Sequence, residues 1–201
     1  GVTGTGTEGT DYSAIDETIT LSAGSTTGTK TFTITDDSVY EGDETVIVAI
    51  SSVTNATESG TQSVTTTITE NESSPTVQIS SSAASVYDNG LSLTLTATST
   101  QIADEAITVV IGTSGTSTEG TDYATVSDIT IAAGSTTGTA TFNPTADTVN
   151  EGSETAIITI TSVSGADSAK GSTTSVTITI NEYALRTGTA FTEGTTAAQN
   201  S

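Results

Sequence analysis

The sequence predicts an all-β protein, two antiparallel β-sandwiches set in tandem. Three observations carry that reading. Serine and threonine alternate with Val, Ile and Leu at period two through much of the 201 residues. No helical period persists anywhere in the chain. The two halves also repeat one another. Glu8–Tyr12 (EGTDY) returns at Glu119–Tyr123, an offset of 111. Ala23–Thr29 (AGSTTGT) returns at Ala133–Thr139, Glu41–Thr45 (EGDET) at Glu151–Thr155 (EGSET), and Asn71-Glu72 at Asn181-Glu182, each at an offset of 110. A period of this length fits a whole small domain repeated in tandem, and is too long for a helical or leucine-rich solenoid repeat.

The second copy reads as seven strands: Thr76–Ser82, Leu91–Ser99, Ala106–Gly112, Thr125–Ile131, Gly138–Pro144, Glu154–Val163 and Ser175–Ile180. Leu91, Leu93, Leu95 and Ala97 fall on one face of their strand, with Ser92, Thr94 and Thr96 on the other. Val176-Thr177-Ile178-Thr179-Ile180 repeats the pattern, and Val64–Ile68 is its weaker counterpart in the first copy. Threonine suits a half-buried strand because it is β-branched with a polar tip. Turn signals at Asp88-Asn89-Gly90, Gly112–Gly120 and Ala132–Gly134 separate the strands. Seven short strands so punctuated predict an immunoglobulin-like sandwich.

Composition narrows the chemistry. Twenty-four acids against three bases, with no histidine, give a net charge of −21. Such a chain repels nucleic acid and anionic membrane surfaces and attracts cations. With neither histidine nor cysteine there is no soft metal site, no histidine-based triad and no thiolate nucleophile. Hard oxygen ligands remain, and they suit calcium. No stretch approaches the roughly 18 apolar residues of a membrane span, so direct membrane insertion is not expected. Residue 1 falls inside a repeat, and the chain reads as a segment of something longer, with any targeting signal upstream.

EGTDY, then AGSTTGT, then DDSVYEGDET, then a final strand closing on Asn-Glu together resemble the Calx-beta domain, a calcium-binding family named for the regulatory domains of sodium–calcium exchangers and common in large bacterial surface proteins. The resemblance covers most of Thr76–Glu182 and the later two-thirds of a domain in Gly1–Glu72. It implies calcium as cofactor, held at one end of the sandwich by acids from separate loops. In the first copy these are Asp11, Asp36, Asp37, Glu41, Glu44 and Glu72. In the second they are Asp122, Asp147, Glu151, Glu154 and Glu182, with Asp88 where the family usually has an acid at the end of its first strand. Clustered carboxylates repel one another until a cation neutralises them, and calcium takes six to eight oxygens. Ala146 and Ser153 replace acids of the first copy, so fewer or weaker ions are expected in the second. Taken singly, acids such as Asp43 and Asp167 read as solvated loop residues.

The expected division is an incomplete domain over 1–72, a linker over 73–75, a complete domain over 76–182 and a tail over 183–201. Glu70-Asn71-Glu72-Ser73-Ser74-Pro75 leaves little slack, and Glu70 and Glu72 sit where the next domain's loop can share an ion. Calcium is therefore expected to stiffen the joint. The first copy starts about 36 residues late by its register on the second, which exposes strand edges unless upstream sequence or another molecule covers them. In the tail, Leu185, Thr187, Thr189 and Phe191 alternate like a weak strand, which fits a donor strand, a new domain or a disordered end. Asn55-Ala56-Thr57 and Asn71-Glu72-Ser73 are nominal glycosylation sequons.

Three functional classes follow. The leading one is a non-enzymatic structural or adhesive module of an extracellular or cell-surface fibre, stalk or adhesin. Its partners are neighbouring repeats or other copies in a filament, including strand-donating subunits. The alternative is a calcium-sensing regulatory pair as in the exchangers. An accessory or sugar-binding domain of an enzyme is the third, and the absence of tryptophan weighs against it. Paired carboxylates support glycosidase chemistry in principle, but apical loops without an aromatic cleft argue against an enzyme.

Overall fold

The structure is a computed structural model that describes residues 1–15 and 18–183. The strand-like pattern of 185–191 lies outside the described residues. Among the described residues every regular element is a strand. The first copy contains β1 (Val2–Gly4), β2 (Val39–Tyr40), β3 (Glu44–Ala49) and β4 (Ser63–Ile68). The second contains β5 (Thr76–Ser81), β6 (Ser85–Tyr87), β7 (Leu93–Ser99), β8 (Ile102–Ala103), β9 (Ile107–Gly115), β10 (Ile129–Ile131), β11 (Thr137–Phe142), β12 (Glu154–Ser164), β13 (Ala169–Lys170) and β14 (Ser175–Asn181).

Two sheets form the second copy's sandwich, ordered β10-β9-β12-β14-β6 and β11-β7-β5-β13. Val77 and Ile79 of β5, Leu95 and Ala97 of β7, Ile107 and Val109 of β9, and Ile158 and Ile160 of β12 all point inward and are buried. Each large aliphatic side chain so buried contributes roughly 1.5–3 kcal/mol relative to exposure. Their period-two spacing makes one face of every long strand apolar, so the two sheets close face to face.

The structure departs from the sequence reading at short elements. Only Ile129–Ile131 of the expected Thr125–Ile131 strand forms, because Asp128 turns its carboxylate to accept a hydrogen bond from the Ile111 amide at 2.8 Å. Two pairings are parallel, β13 on β5 and β14 on β6, so the sandwich is not purely antiparallel. Both involve strands of only two or three residues that close a sheet edge.

The first copy has one three-stranded sheet, β1-β3-β4, and residues 18–33 lie in no assigned strand, with a turn at Ala23-Gly24 closed by the Ser25 amide donating to Ser22 O at 2.9 Å. The two copies meet through β2 and β8, which pair in parallel as Val39↔Ile102 and Tyr40↔Ala103. Tyr40 joins the buried cluster that includes Ala103 and Ala166 of the second copy. Its hydroxyl donates to Asp167 at 3.1 Å and accepts from Ser74 at 3.3 Å. Asp167 is thus half of a contact across the joint, which its loop context did not reveal.

Candidate metal centres

Each centre begins with the EGTDY turn. Gly9 and Gly120 hold φ of 89° and 85°, conformations that a side chain makes costly. The turn closes with the Gly9 amide donating to Tyr12 O and the Gly120 amide to Tyr123 O, each at 2.8 Å. Tyr12 and Tyr123 are buried and pack on Phe32 and Phe142, with ring centroids 5.8 and 4.9 Å apart. The tyrosine is therefore the anchor, and the aspartate before it is fixed at the end of the sandwich. Asp11 and Asp122 are themselves buried, and each accepts a hydrogen bond from a backbone amide, Thr7 and Thr118 respectively.

The EGDET and EGSET loops bring the other acids. Carboxylate oxygens of Asp11, Glu41 and Glu44 lie within 4.8 Å of one another, as do those of Asp122, Glu151 and Glu154. Asp88, Asp147 and Glu182 line the same small cavity as the second triad. Three like charges this close oppose ionisation. Burial, then the charges of Asp11, Asp37, Glu44 and Asp104, push the Glu41 carboxyl up to about 7. Glu44 is raised by burial and by the charge and hydrogen bond of Asp11. Glu154 is raised by burial, Asp122 and Glu151. Glu151 is raised by desolvation and by Asp122, Asp147, Glu182 and Asp88. Each arrangement is an oxygen-only group of carboxylates that could hold a cation, whose charge would relieve their mutual repulsion.

Several predicted ligands have defined local roles. Asp37 and Asp147 accept hydrogen bonds from the Val39 and Val149 amides at 2.8 and 2.7 Å, which makes their loops equivalent. Asp36 accepts from the Asn71 side chain at 3.0 Å. Asp88 accepts from the Tyr183 amide. Glu182 accepts from the Glu151 amide at 3.2 Å.

In the first copy that last role passes to Glu70. Its Oε2 accepts from Glu41 and Gly42 amides at 2.6 and 2.8 Å, and its Oε1 from Asn71 and Glu72 amides, both at 2.9 Å. Burial opposes its charge, but the amides of Glu72, Glu41 and Gly42 prevail and hold its carboxyl down at about 2. Glu72 is instead raised by its hydrogen bond to Glu70, with Asp36 and Asp37 adding repulsion. Asp43, read as a solvated loop residue, accepts from the Glu70 amide at 2.8 Å. Its counterpart Ser153 only bridges to Asn181 at 3.2 Å.

Sequence reasoning also missed Asp104. Its carboxyl is raised by burial and by Glu105, and it contributes to the field on Glu41 and Glu44 from across the joint. The Asp104 amide donates to Tyr40 O at 3.2 Å, which is what sets it there.

Fold and site together define a tandem immunoglobulin-like sandwich with apical carboxylate clusters. The Calx-beta domain profile matches residues 2–73 and again 70–184, and the chain belongs to the Calx-beta family. Among solved structures, the chain is similar to the apo form of the Calx CBD1 domain at 16% identity, covering 54% of this chain and 99% of that one, with a TM-score of 0.47. It is also similar to the calcium binding domain CBD12 of CALX1.1 at 13% identity, covering 87% and 82%, with a TM-score of 0.39. CBD12 from CALX1.2 gives 12% identity, the same coverage and a TM-score of 0.38. No curated protein matches the chain.

Proposed function

We propose that the chain is a non-enzymatic calcium-binding module in which ion uptake by the apical clusters stiffens the joint between two repeats. The observation that carries it is the double occurrence of three carboxylates within 4.8 Å, presented by the same loops in both copies. Calcium is the cation such oxygen-only, flexible donor sets suit. Asp11, Glu41 and Glu44 would hold the ion in the first copy, with Asp37 and Glu72 nearby. Asp122, Glu151 and Glu154 would hold it in the second, with Asp88, Asp147 and Glu182 around them. The first centre takes more or tighter ions, because Asp36 and Asp43 have Ala146 and Ser153 as counterparts.

A regulatory use, a pair whose joint responds to calcium, is the reading the geometry favours. The charge of the first cluster reaches Asp104 of the second copy, so neutralising it lowers repulsion across the joint. A link in an extracellular or cell-surface fibre is the second reading, favoured by the head-to-tail repetition and scarcity of bases. Thermal unfolding in millimolar calcium and in excess chelator tests the shared premise. At a calcium concentration one hundred times Kd, each site adds about 2.7 kcal/mol. Asp11→Asn and Asp122→Asn each remove one copy's gain. A melting curve indifferent to calcium refutes the proposal.

A further inference from the structure

The turn Asp88-Asn89-Gly90 joins β6 to β7. Asn89 is the one asparagine of the chain that precedes a glycine. That order brings two reactive groups together, because the main-chain nitrogen of the next residue can close a five-membered ring on the asparagine Cγ. A side chain on the next residue crowds the approach, and glycine has none. Asn55, Asn71, Asn150, Asn181 and Asn200 are followed by alanine, glutamate or serine. Asn143 is followed by proline, which has no N–H to give up.

The fold leaves this pair able to react. Gly90 is exposed with φ of 79°, and a Cβ placed on it would meet nothing nearer than Ala146 at 4.0 Å. The turn therefore has room to swing the Gly90 amide towards Asn89. Among the described residues nothing accepts a hydrogen bond from that amide. Asn89 is half-buried, and its Oδ1 accepts from the Leu91 amide at 3.3 Å. This bond folds the side chain over the same stretch of backbone and draws electron density away from Cγ. The residue before is pinned: the Asp88 amide donates to Asn181 O at 3.0 Å, and the Asp88 carboxylate accepts from the Tyr183 amide. The turn can rearrange beyond Asp88 without breaking either bond.

We propose that Asn89-Gly90 is a site of spontaneous deamidation, which installs a carboxylate next to Asp88 at the second centre. The Gly90 nitrogen bonds to Asn89 Cγ and gives its proton to water. The Cγ–Nδ2 bond breaks, and the side-chain nitrogen leaves as ammonia. Water then opens the cyclic imide at either carbonyl, giving aspartate or isoaspartate. Nothing is oxidised or reduced, and water is the only co-reactant. Both products carry a new negative charge beside an acid that lines the cavity with Asp122, Asp147, Glu151 and Glu154. Isoaspartate also adds a methylene to the main chain between Asp88 and Gly90. The second centre thus gains charge with age, in one direction only. What this does to calcium uptake rests on the function proposed above; the reaction itself needs no ion and is tested without one.

The experiment ages the full chain in chelator at mildly alkaline pH, beside a free peptide of Ala84–Thr94 sequence. Fragment masses after proteolysis then locate each amide that has become an acid, and isoaspartate is told from aspartate by its fragmentation. Asn89 should convert first, at a rate within about tenfold of the free peptide, since an exposed turn needs little local opening to react. It should also outpace every other asparagine of the chain by about tenfold or more. Gly90→Ala should slow the conversion by about tenfold or more, because the new methyl group crowds the attacking nitrogen. Asn89→Gln keeps an amide but needs a six-membered ring, and should abolish the change at this position. A folded chain that keeps its Asn89 amide while the free peptide converts overturns the proposal. So does conversion at another asparagine ahead of Asn89.

Discussion

Replacing Glu70 with alanine removes four backbone hydrogen bonds at once. Two of them, from Glu41 and Gly42 at 2.6 and 2.8 Å, are partly buried and fix the loop that carries two members of the first cluster. The bond from Asn71 is exposed, and the one from Glu72 is partly buried but local. A hydrogen bond to a charged group contributes about 1.5–3 kcal/mol when sheltered, and much less in water. Counting the two loop bonds at the low end, and discounting them for solvent, gives a loss of about 2 kcal/mol. For a unit of this size that lowers the melting temperature by roughly 8–16 °C. Glu70→Gln keeps one acceptor oxygen and should lose about half as much. The assay is thermal unfolding in excess chelator, with hydrogen exchange at Glu41 and Gly42 as the local readout. Calcium is excluded so that stability is measured apart from binding. If both variants melt within about 2 °C of the parent and the two amides exchange no faster, the reasoning fails.

The pH response follows from opposite shifts. Glu41, raised to about 7, favours the folded state when protonated, so its contribution is full below about 4.5 and is lost as pH rises through 7. Glu70, lowered to about 2, contributes above about 4.5 and loses that contribution as pH falls towards 2. Melting in chelator should therefore peak between about pH 4 and 5 and fall by roughly 1 kcal/mol or less towards pH 8, the Glu41 shift being discounted for its exposure. With calcium the alkaline fall should disappear, and its persistence would count against ion binding at Glu41. At the joint, Tyr40→Phe should cost about 1 kcal/mol through loss of the Asp167 bond, and Tyr40→Ala more, since Tyr40 is only 7% exposed. Small-angle scattering in calcium should show a wider spread of shapes for Tyr40→Ala, and an unchanged profile would argue against the latch. Gly115→Ala should cost about 3 kcal/mol or more, because φ is 126° and the new Cβ would lie 2.1 Å from Thr155 O. Gly152→Ala, with φ of 78° but open space around it, should cost about 1 kcal/mol, a contrast that denaturant unfolding reads directly.

The sequence by itself determined the class of fold, because side-chain alternation along a strand is a local property. Leu93, Leu95 and Ala97 had to share a face whatever lay opposite them. It also made the individual turns that carry the candidate acids legible, because a turn and the residue it presents are separated by only a few positions, whereas the meeting of Asp11 with Glu41 and Glu44 was left to the fold. Asp11 follows Gly9, and Glu41 and Glu44 flank Gly42 and Asp43. Tertiary structure alone decided what depends on chains meeting from far apart. The place of Glu70 as acceptor for the Glu41 loop depends on how β4 lies beside β3, and by internal alignment its counterpart is the apolar Ile180. Asp104 reaches the first cluster only because β8 pairs with β2, a contact spanning some sixty residues that no period records. The short parallel strands β6 and β13 carry too few residues to leave a pattern. The two sets of signals differ in range: alternation and turns are written within a few residues, whereas a field between carboxylates is set by distance in space and becomes readable only when the sheets have closed.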